Sequence, residues 1–269
     1  MPDDASSTPA GRTYRELAPP PCLDHVVACV WTGVTHGPYT QRIVPDACAD
    51  IMWMGGPAGG SLVVAGPDTQ AHTSFMTPGS VVAAVRFRPG AAGVAFGLPL
   101  DAVRDQRVRL AELWGRAAAD ELADEVAAAL AAEPVPAGRP TGAEAAIARA
   151  VARRVAGTRP GEGPLLASAL AAEDGAGGVR RVADRLGVSE RQLHRRSLAL
   201  FGYGPKTAQR ILRFQRALRL ARLGLSAGGR GRGPGPSLAV VAAEAGYADQ
   251  AHLARDVRAL AGVTITELI

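Results

Sequence analysis

Two stretches near the C-terminal end of the 269-residue chain repeat one pattern, and this repeat constrains the fold more than any other feature. In the first, an alanine stands four residues before Gly187, and Leu193 follows six residues after that glycine. In the second, an alanine stands four residues before Gly246, and Leu253 follows seven residues after it. A glycine in the left-handed conformation ends one helix and lets the next pack back against it, so each stretch predicts a helix-turn-helix.

The residues around each glycine agree with this prediction. Ser189 and Asp249 stand where a side-chain oxygen would cap the second helix of each unit, and the second turn is one residue longer than the first. The apolar residues expected on the inner faces of the two first helices are Val182, Leu186, Val241 and Ala245.

Charge is distributed unevenly along the chain. Residues 179–269 contain 16 Lys and Arg against 6 Asp and Glu, a net charge of +10, whereas residues 1–178 have a net charge of −5. Lys206 is the only lysine among the 30 basic residues. Arginine suits bidentate contacts to phosphate and guanine, although GC-rich codon usage also favours it. Codon usage does not explain the segregation of charge, so the two parts of the chain are expected to have different functions.

The N-terminal part has strand-and-turn character. We expect residues 1–13 to be a disordered tail, and residues 14–110 to form a mostly-β sensor or dimerisation domain. Its short runs, such as HVVACVWTGV and SVVAAVRFRPG, are rich in Val, Trp and Phe and are bounded by Gly, Pro or Asp. Alanine-rich helices then predict a helical connector over residues 111–178.

The basic part is predicted to be helical with one interruption. A helix-turn-helix is expected over residues 179–201, a linker helix over 205–223 and a second helix-turn-helix over 238–260. The intervening residues 224–237 carry six glycines and two prolines, which predicts a flexible spacer. The expected fold class is therefore α+β, with a mostly-β N-terminal domain, a helical connector and an all-α C-terminal domain.

A family resemblance accompanies these patterns. The stretches VADRLGVSERQLHRR, FGYGPK and GYADQAHLAR resemble the C-terminal DNA-binding domain of the AraC family of bacterial transcriptional regulators, over about one third of the chain. The stretches RIVPDACADIMW and VRFRPGAAGVAFGLPLDAV resemble the N-terminal domain of a subgroup of AraC-like regulators. The resemblance implies two recognition helices that enter successive major-groove segments on one face of the DNA.

The resemblance also implies candidate DNA-binding residues. In the first recognition helix, Arg191, His194 and Arg195 share one face by their spacing, and Arg196 follows them. The alternative for this face is a solvated charged surface. The candidates in the second recognition helix are Gln250, Ala251, His252 and Arg255. For His252 a packing or capping role is an equal alternative, and Arg255 has the alternative of pairing with Asp256.

Arginines recur every three residues along the linker helix. They would either strengthen the field that attracts DNA or only keep an exposed helix soluble. These residues are Arg210, Arg213, Arg216, Arg219 and Arg222.

The chain departs from the family pattern at three positions. Ser197 stands where an aromatic residue is usual, Val257 where Phe is common, and Thr264 is followed by Ile265 where the family has Thr-Pro. The smaller side chains at the first two positions predict a looser core.

The N-terminal part offers weaker candidates. Asp46, Cys48, Asp50 and His72 match no established zinc spacing, and Cys48 is better explained as a small buried residue than as a reactive thiol. The aromatic residues Trp31, Trp53 and Phe75 are expected in the core more than in a ligand pocket. We find no nucleophile–base pair and no phosphate-binding loop, so no catalytic residue, metal or cofactor is expected.

These observations together predict a sequence-specific transcriptional regulator that binds double-stranded promoter DNA. Three cysteines and the lack of an apolar leader or membrane span predict a cytoplasmic location. RNA polymerase, a small-molecule effector and a second copy of the chain stay open as partners. The alternatives are a non-specific or architectural DNA-binding protein and a DNA-repair regulator that accepts alkyl groups on a thiol.

Overall fold

A computed structural model describes residues 11–56, 59–132, 142–158, 161–173, 177–228 and 237–269. Two antiparallel sheets are found within these ranges. Their strands are β1 Arg12–Leu17, β2 Val27–Thr35, β3 Tyr39–Ile43, β4 Asp50–Gly56, β5 Gly59–Ala65, β6 His72–Met76, β7 Val81–Phe87 and β8 Arg107–Arg109. The larger sheet has the order β1-β2-β7-β4-β5-β8, and β3 pairs with β6 in the smaller one.

The larger sheet is covered on both faces. Because side chains alternate along a strand, Ile51 and Phe87 reach the main hydrophobic core, whereas Trp31 and Ala84 join a smaller cluster on the opposite face. Tyr39 of the two-stranded β3–β6 sheet packs onto this smaller cluster.

All the described α-helices except the first, which precedes β8, follow the strands along the chain. Their bounds are α1 Gly93–Phe96, α2 Leu110–Trp114, α3 Arg116–Ala132, α4 Gly142–Val155, α5 Gly163–Ala172, α6 Gly178–Arg185, α7 Glu190–Phe201, α8 Pro205–Gly228, α9 Leu238–Glu244 and α10 Gln250–Ala261. The fold is therefore α+β, with a β-rich N-terminal region and a helical C-terminal region.

The segment predicted as a connector is divided between the two cores. Leu122 of α3 and Ile147 of α4 are buried in the core of the larger sheet. Leu166 and Leu170 of α5 instead join the C-terminal core around Phe214 of α8. The sequence predicted these helices, but amphipathic spacing does not tell which core each helix joins.

Two predicted boundaries differ from the structure. The predicted disordered tail reaches residue 13, yet β1 begins at Arg12, which is buried because it hydrogen-bonds Gln41 and stacks between Tyr14 and Tyr39. The predicted linker helix ends at residue 223, whereas α8 continues to Gly228. Residues 1–10 of the tail and 229–236 of the predicted spacer lie outside the described residues.

Candidate nucleic-acid interface

The first helix-turn-helix has the turn that the sequence predicts. α6 ends in a Schellman motif: the amide of Val188 donates to the carbonyl of Ala183 at 3.0 Å, and the amide of Gly187 donates to that of Asp184 at 3.1 Å. Gly187 has a φ of 63°, which is the left-handed conformation that favours glycine. The inner-face prediction is confirmed for Val182 and wrong for Leu186, which is 43% exposed because it lies at the helix C-cap.

A capping box fixes the start of α7. The hydroxyl of Ser189 accepts from the amide of Gln192 at 3.2 Å, and the side chain of Gln192 accepts from the amide of Ser189 at 2.9 Å. The predicted cap is therefore confirmed. Leu193 is fully buried against the C-terminal core, which sets the rotation of the helix about its axis.

This rotation leaves in solvent the side of α7 that is predicted to contact DNA bases, which we call its reading face. Arg191, His194 and Arg195 are all exposed, and among the described residues neither arginine has an ion-pair partner. The imidazole of His194 lies over Gly204, where an added Cβ would stand 2.8 Å from its Cε1 atom. Arg196 differs from these residues, because it is half-buried and its guanidinium lies 3.3 Å from a carboxylate oxygen of Glu162.

The second helix-turn-helix repeats these features. α9 ends in a second Schellman motif, in which the amide of Tyr247 donates to the carbonyl of Ala242 at 2.9 Å, and Gly246 has a φ of 85°. Asp249 caps α10 by accepting from the amide of His252 at 2.6 Å, as predicted. The predicted inner residues Val241 and Ala245 are buried, as is Leu253.

The candidates on α10 fall into two groups. Gln250, Ala251 and Arg255 are exposed. His252 is half-buried, its ring meets Tyr247 edge-on at 5.1 Å between centroids, and its Nδ1 atom accepts from the amide of Ala248 at 3.4 Å. These contacts favour the packing and capping alternative for His252.

The structural role of Asp256, which supports this surface from beneath, is the main feature that sequence reasoning missed. Asp256 is buried and binds Arg210 at 2.5 Å and Arg213 at 3.3 Å, so the alternative of an Arg255–Asp256 pair is not what forms. The guanidinium of Arg213 also lies 4.5 Å from the ring centroid of Tyr247. The signal was in the sequence, since Asp256 shares the helical stripe of Leu253 with Val257 and Leu260.

These contacts divide the linker arginines. Arg210 and Arg213 join α8 to α10, and Arg222 donates to the carbonyl of Leu268 at 3.2 Å. Arg216, Arg219 and Arg222 are exposed. The field that attracts DNA would therefore come mainly from these three arginines, because Arg210 and Arg213 share the carboxylate of Asp256 and a charge paired with a carboxylate contributes little at a distance.

The departures from the family pattern are accommodated locally. Ser197 and Val257 are fully buried, and the hydroxyl of Ser197 donates to the carbonyl of Tyr203 at 2.7 Å. Thr264 forms a capping box with Glu267, whose pKa is lowered by the hydrogen bonds from Thr264.

The weaker candidates of the N-terminal domain fall into two clusters, one in which Asp46 and Asp50 both pair with Arg86 and one around His72. Asp50 binds Trp31 and Arg86, at 2.9 and 3.2 Å, and Asp46 accepts from the amide of Cys48 at 2.9 Å. His72 lies in a different cluster, with Asp68 and Arg107. Among the described residues no group of three or more His, Cys, Asp or Glu side chains is placed to hold a metal ion.

The three aromatic candidates do not line one pocket. Trp53 is buried in the main core, Trp31 is buried on the opposite face of the sheet, and Phe75 is 68% exposed on β6. The core interpretation therefore holds for the two tryptophans and is wrong for Phe75, because β6 lies in a two-stranded sheet whose outer face is open.

Two family models match the chain. Residues 182–269 match a helix-turn-helix domain, and this range contains both units described above. The C-terminal domain is therefore a helix-turn-helix domain of the AraC type. Residues 15–109 match a domain of unknown function, DUF6597. The protein is thus a DNA-binding transcription regulator with an N-terminal domain whose role is undefined.

The solved structures that resemble the chain are distant. ToxT from Vibrio cholerae O395 is 9% identical, with 89% of this chain and 95% of that chain covered and a TM-score of 0.43. A second ToxT structure from Vibrio cholerae is 8% identical, with 96% and 97% covered and a TM-score of 0.44. At this level the likeness says nothing about what this chain binds. Comparison with curated proteins found no match.

No helix within the described ranges of the chain has the length and apolarity needed to cross a bilayer.

Proposed function

We propose that this regulator binds specific sequences in double-stranded promoter DNA, through α7 and α10 in adjacent segments of the major groove. The observation that carries the proposal is the outward face of α7. Arg191 and Arg195 stand there one helical turn apart, exposed and without an acidic partner among the described residues. Arginine bound to O6 and N7 of guanine discriminates against a wrong base by roughly 1–3 kcal/mol.

Electrostatics supports the same surface. The net charge of +10 over residues 179–269 favours release of counterions from the duplex and holds the protein on DNA without regard to sequence. Exposed Arg216, Arg219 and Arg222 add to this field. Base contacts from α7 and α10 then select the site, with Gln250 and Arg255 as the candidates on α10 and Arg196 and His252 in supporting roles.

The N-terminal domain is proposed to sense a signal or to pair two copies of the chain. Either event would regulate by changing how the C-terminal domain is presented to DNA. A small-molecule effector, RNA polymerase and a second copy are the partners that this role implies, and the cytoplasm is the compartment where promoter DNA lies.

The decisive experiment is enrichment of bound duplexes from a randomised DNA library. We expect one preferred sequence from the wild-type chain, and a relaxed preference at one or more positions from the Arg191→Ala/Arg195→Ala variant. Arg180→Ala is a matched control, because it removes a charge from the same unit at an exposed residue of α6. An unchanged preferred sequence in the double variant would show that α7 does not read the bases.

A non-specific or architectural role is the second candidate, favoured by the charge alone. It predicts equal competition by scrambled and enriched DNA in a gel shift, and no enriched sequence.

The alkyl-accepting alternative is disfavoured by the environment of Cys48. Such chemistry needs a thiolate, yet burial raises the pKa of the Cys48 thiol well above its ordinary value, and nearby Asp46 raises it further. Burial likewise raises the pKa of Cys29 to about 12. Mass spectrometry of the chain after exposure to alkylated DNA should show no adduct on either cysteine.

A further inference from the structure

Both candidate recognition helices end against the N-terminal domain. At the end of α10, the amide of Ala71 donates to the carbonyl of Leu260 at 2.8 Å, and the guanidinium of Arg42 donates to the carbonyl of Ala261 at 3.0 Å. These two carbonyls belong to the last turn of the helix, where no amide of the same helix is available to them.

The end of α7 is held in the same manner. The guanidinium of Arg104 donates to the carbonyl of Gly202, the C-cap residue, at 3.0 Å. Pro67 and Gly90 of the N-terminal domain pack here so closely that a Cβ added to Gly202 would lie 2.8 Å from Pro67, and one added to Gly90 would lie 2.8 Å from the ring of Phe201.

A third contact lies between these two helix ends. α8 packs against both α7 and α10, and the side-chain amide of its Gln215 donates to the carbonyl of Pro45 at 2.6 Å. Val44 and Ala47 of the same loop pack into the C-terminal core. The N-terminal domain therefore touches all three helices that determine where the reading faces point.

The chemistry of the two arginine contacts suits this position. A helix C-terminus carries partial negative charge, so a guanidinium is favoured there, and it also satisfies a carbonyl. The candidate reading residues stand at the opposite ends of the helices, with Arg191 about 16 Å from Gly202 along α7. Contacts of the N-terminal domain can therefore orient α7 and α10 without covering their DNA-binding faces.

We propose that Arg42 and Arg104 are positioning residues, through which the N-terminal domain sets the distance and angle between α7 and α10. These two quantities determine the spacing that the protein accepts between its two half-sites, the DNA segments bound by α7 and by α10. This inference rests on the proposed function. It deepens that function by assigning the N-terminal domain a direct role in the choice of DNA.

The test uses the full chain and the duplex enriched from the randomised library, together with the same duplex carrying one or two base pairs inserted between the half-sites. The variant Arg42→Met/Arg104→Met keeps the apolar stems and removes both donors. For the wild type, insertion should weaken binding by on the order of tenfold, because two rigidly linked modules cannot both engage a mis-spaced site. For the variant, the ratio between the two spacings should shrink to within about twofold, and binding to the original duplex should weaken.

Two controls separate positioning from general damage. Arg88→Met removes an arginine that holds the carbonyl and carboxylate of Asp24 within the N-terminal domain, and it should keep the wild-type spacing ratio. Arg42→Lys/Arg104→Lys retains a cationic donor and should restore much of that ratio. Circular dichroism verifies that each variant is folded.

The outcomes distinguish the two proposals. An enriched sequence whose spacing ratio is the same in the wild type and in the Met variant overturns the positioning role alone, as does tighter binding by the Met variant. The absence of any enriched sequence refutes the proposed function, and the positioning role falls with it.

Discussion

Ser197 is a small buried residue at a position where the AraC resemblance leads us to expect an aromatic one. The sequence predicted looser packing where the usual aromatic ring is missing. The hydroxyl instead forms a buried hydrogen bond to the carbonyl of Tyr203 at 2.7 Å, which ties the end of α7 to the turn before α8. Ser197 thus contributes a buried hydrogen bond instead of the packing volume of an aromatic ring.

Removing this hydroxyl should be costly. Ser197→Ala is expected to lower the free energy of unfolding by about 1–2 kcal/mol, because it removes the hydrogen bond and leaves a buried carbonyl without that donor. Urea denaturation measures the change. Ser168→Ala is the matched control, since its hydroxyl donates to the carbonyl of Pro164 at an exposed position of α5. A loss in Ser197→Ala no larger than that in the control would contradict this account.

The two helix-turn-helix units are elements in which local chemistry and tertiary packing agree. Each combines a Schellman motif at a glycine, a capped second helix and one buried leucine, Leu193 or Leu253. The two turns differ in length by one residue, yet both second helices bury their leucine. The cap and the leucine together therefore orient the helix in each unit.

The glycine of the first turn offers a sharp test of this arrangement. Gly187→Ala should cost about 1–2 kcal/mol of unfolding free energy, because the φ of 63° is unfavourable for any residue with a Cβ although the space around it is open. Gly161→Ala also adds a Cβ in open space, but without a positive φ, and should cost much less. Thermal or urea unfolding of the two variants separates the cost of the positive φ from the cost of adding a Cβ. Equal losses of unfolding free energy would show that the turn does not need the left-handed conformation.

Across the whole molecule, the ionic clusters of the N-terminal domain tie distant segments together. Asp68, His72 and Arg107 form one such cluster, which lies beside the contact between Ala71 and the end of α10. Burial and the neighbouring Arg107 lower the pKa of His72 below its ordinary value of 6.5, and Asp68 opposes this only in part.

This shift gives stability a definite dependence on pH. The unfolded chain binds a proton at His72 more readily than the folded one, so the free energy of unfolding should fall as the pH drops below about 6.5. His72→Gln should flatten this part of the profile. Urea denaturation between pH 5 and 8 measures both. Parallel profiles for the two proteins would show that His72 does not contribute.

Much of the helical domain was predictable because its signals are local. The caps Ser189 and Asp249, the glycines of the two turns and the buried leucines each act within a few residues, so spacing alone located them. The Asp256 contacts were not predicted, because whether an acid binds its neighbour Arg255 or Arg210 of another helix depends on how α8 and α10 pack. The exposed position of Phe75 depends likewise on what covers its strand.

The amino-acid sequence by itself determined that this protein has two helix-turn-helix units in a basic C-terminal domain and a β-rich N-terminal one. Only the tertiary structure decided that α3 and α4 pack into the core beneath the larger sheet, whereas α5 packs into the C-terminal core. It also decided that Arg42 reaches the end of α10 and Arg104 the end of α7. The physical reason is range. Caps, turns and amphipathic stripes are set by neighbours in sequence, whereas a contact between segments more than 90 residues apart exists only once both domains have packed.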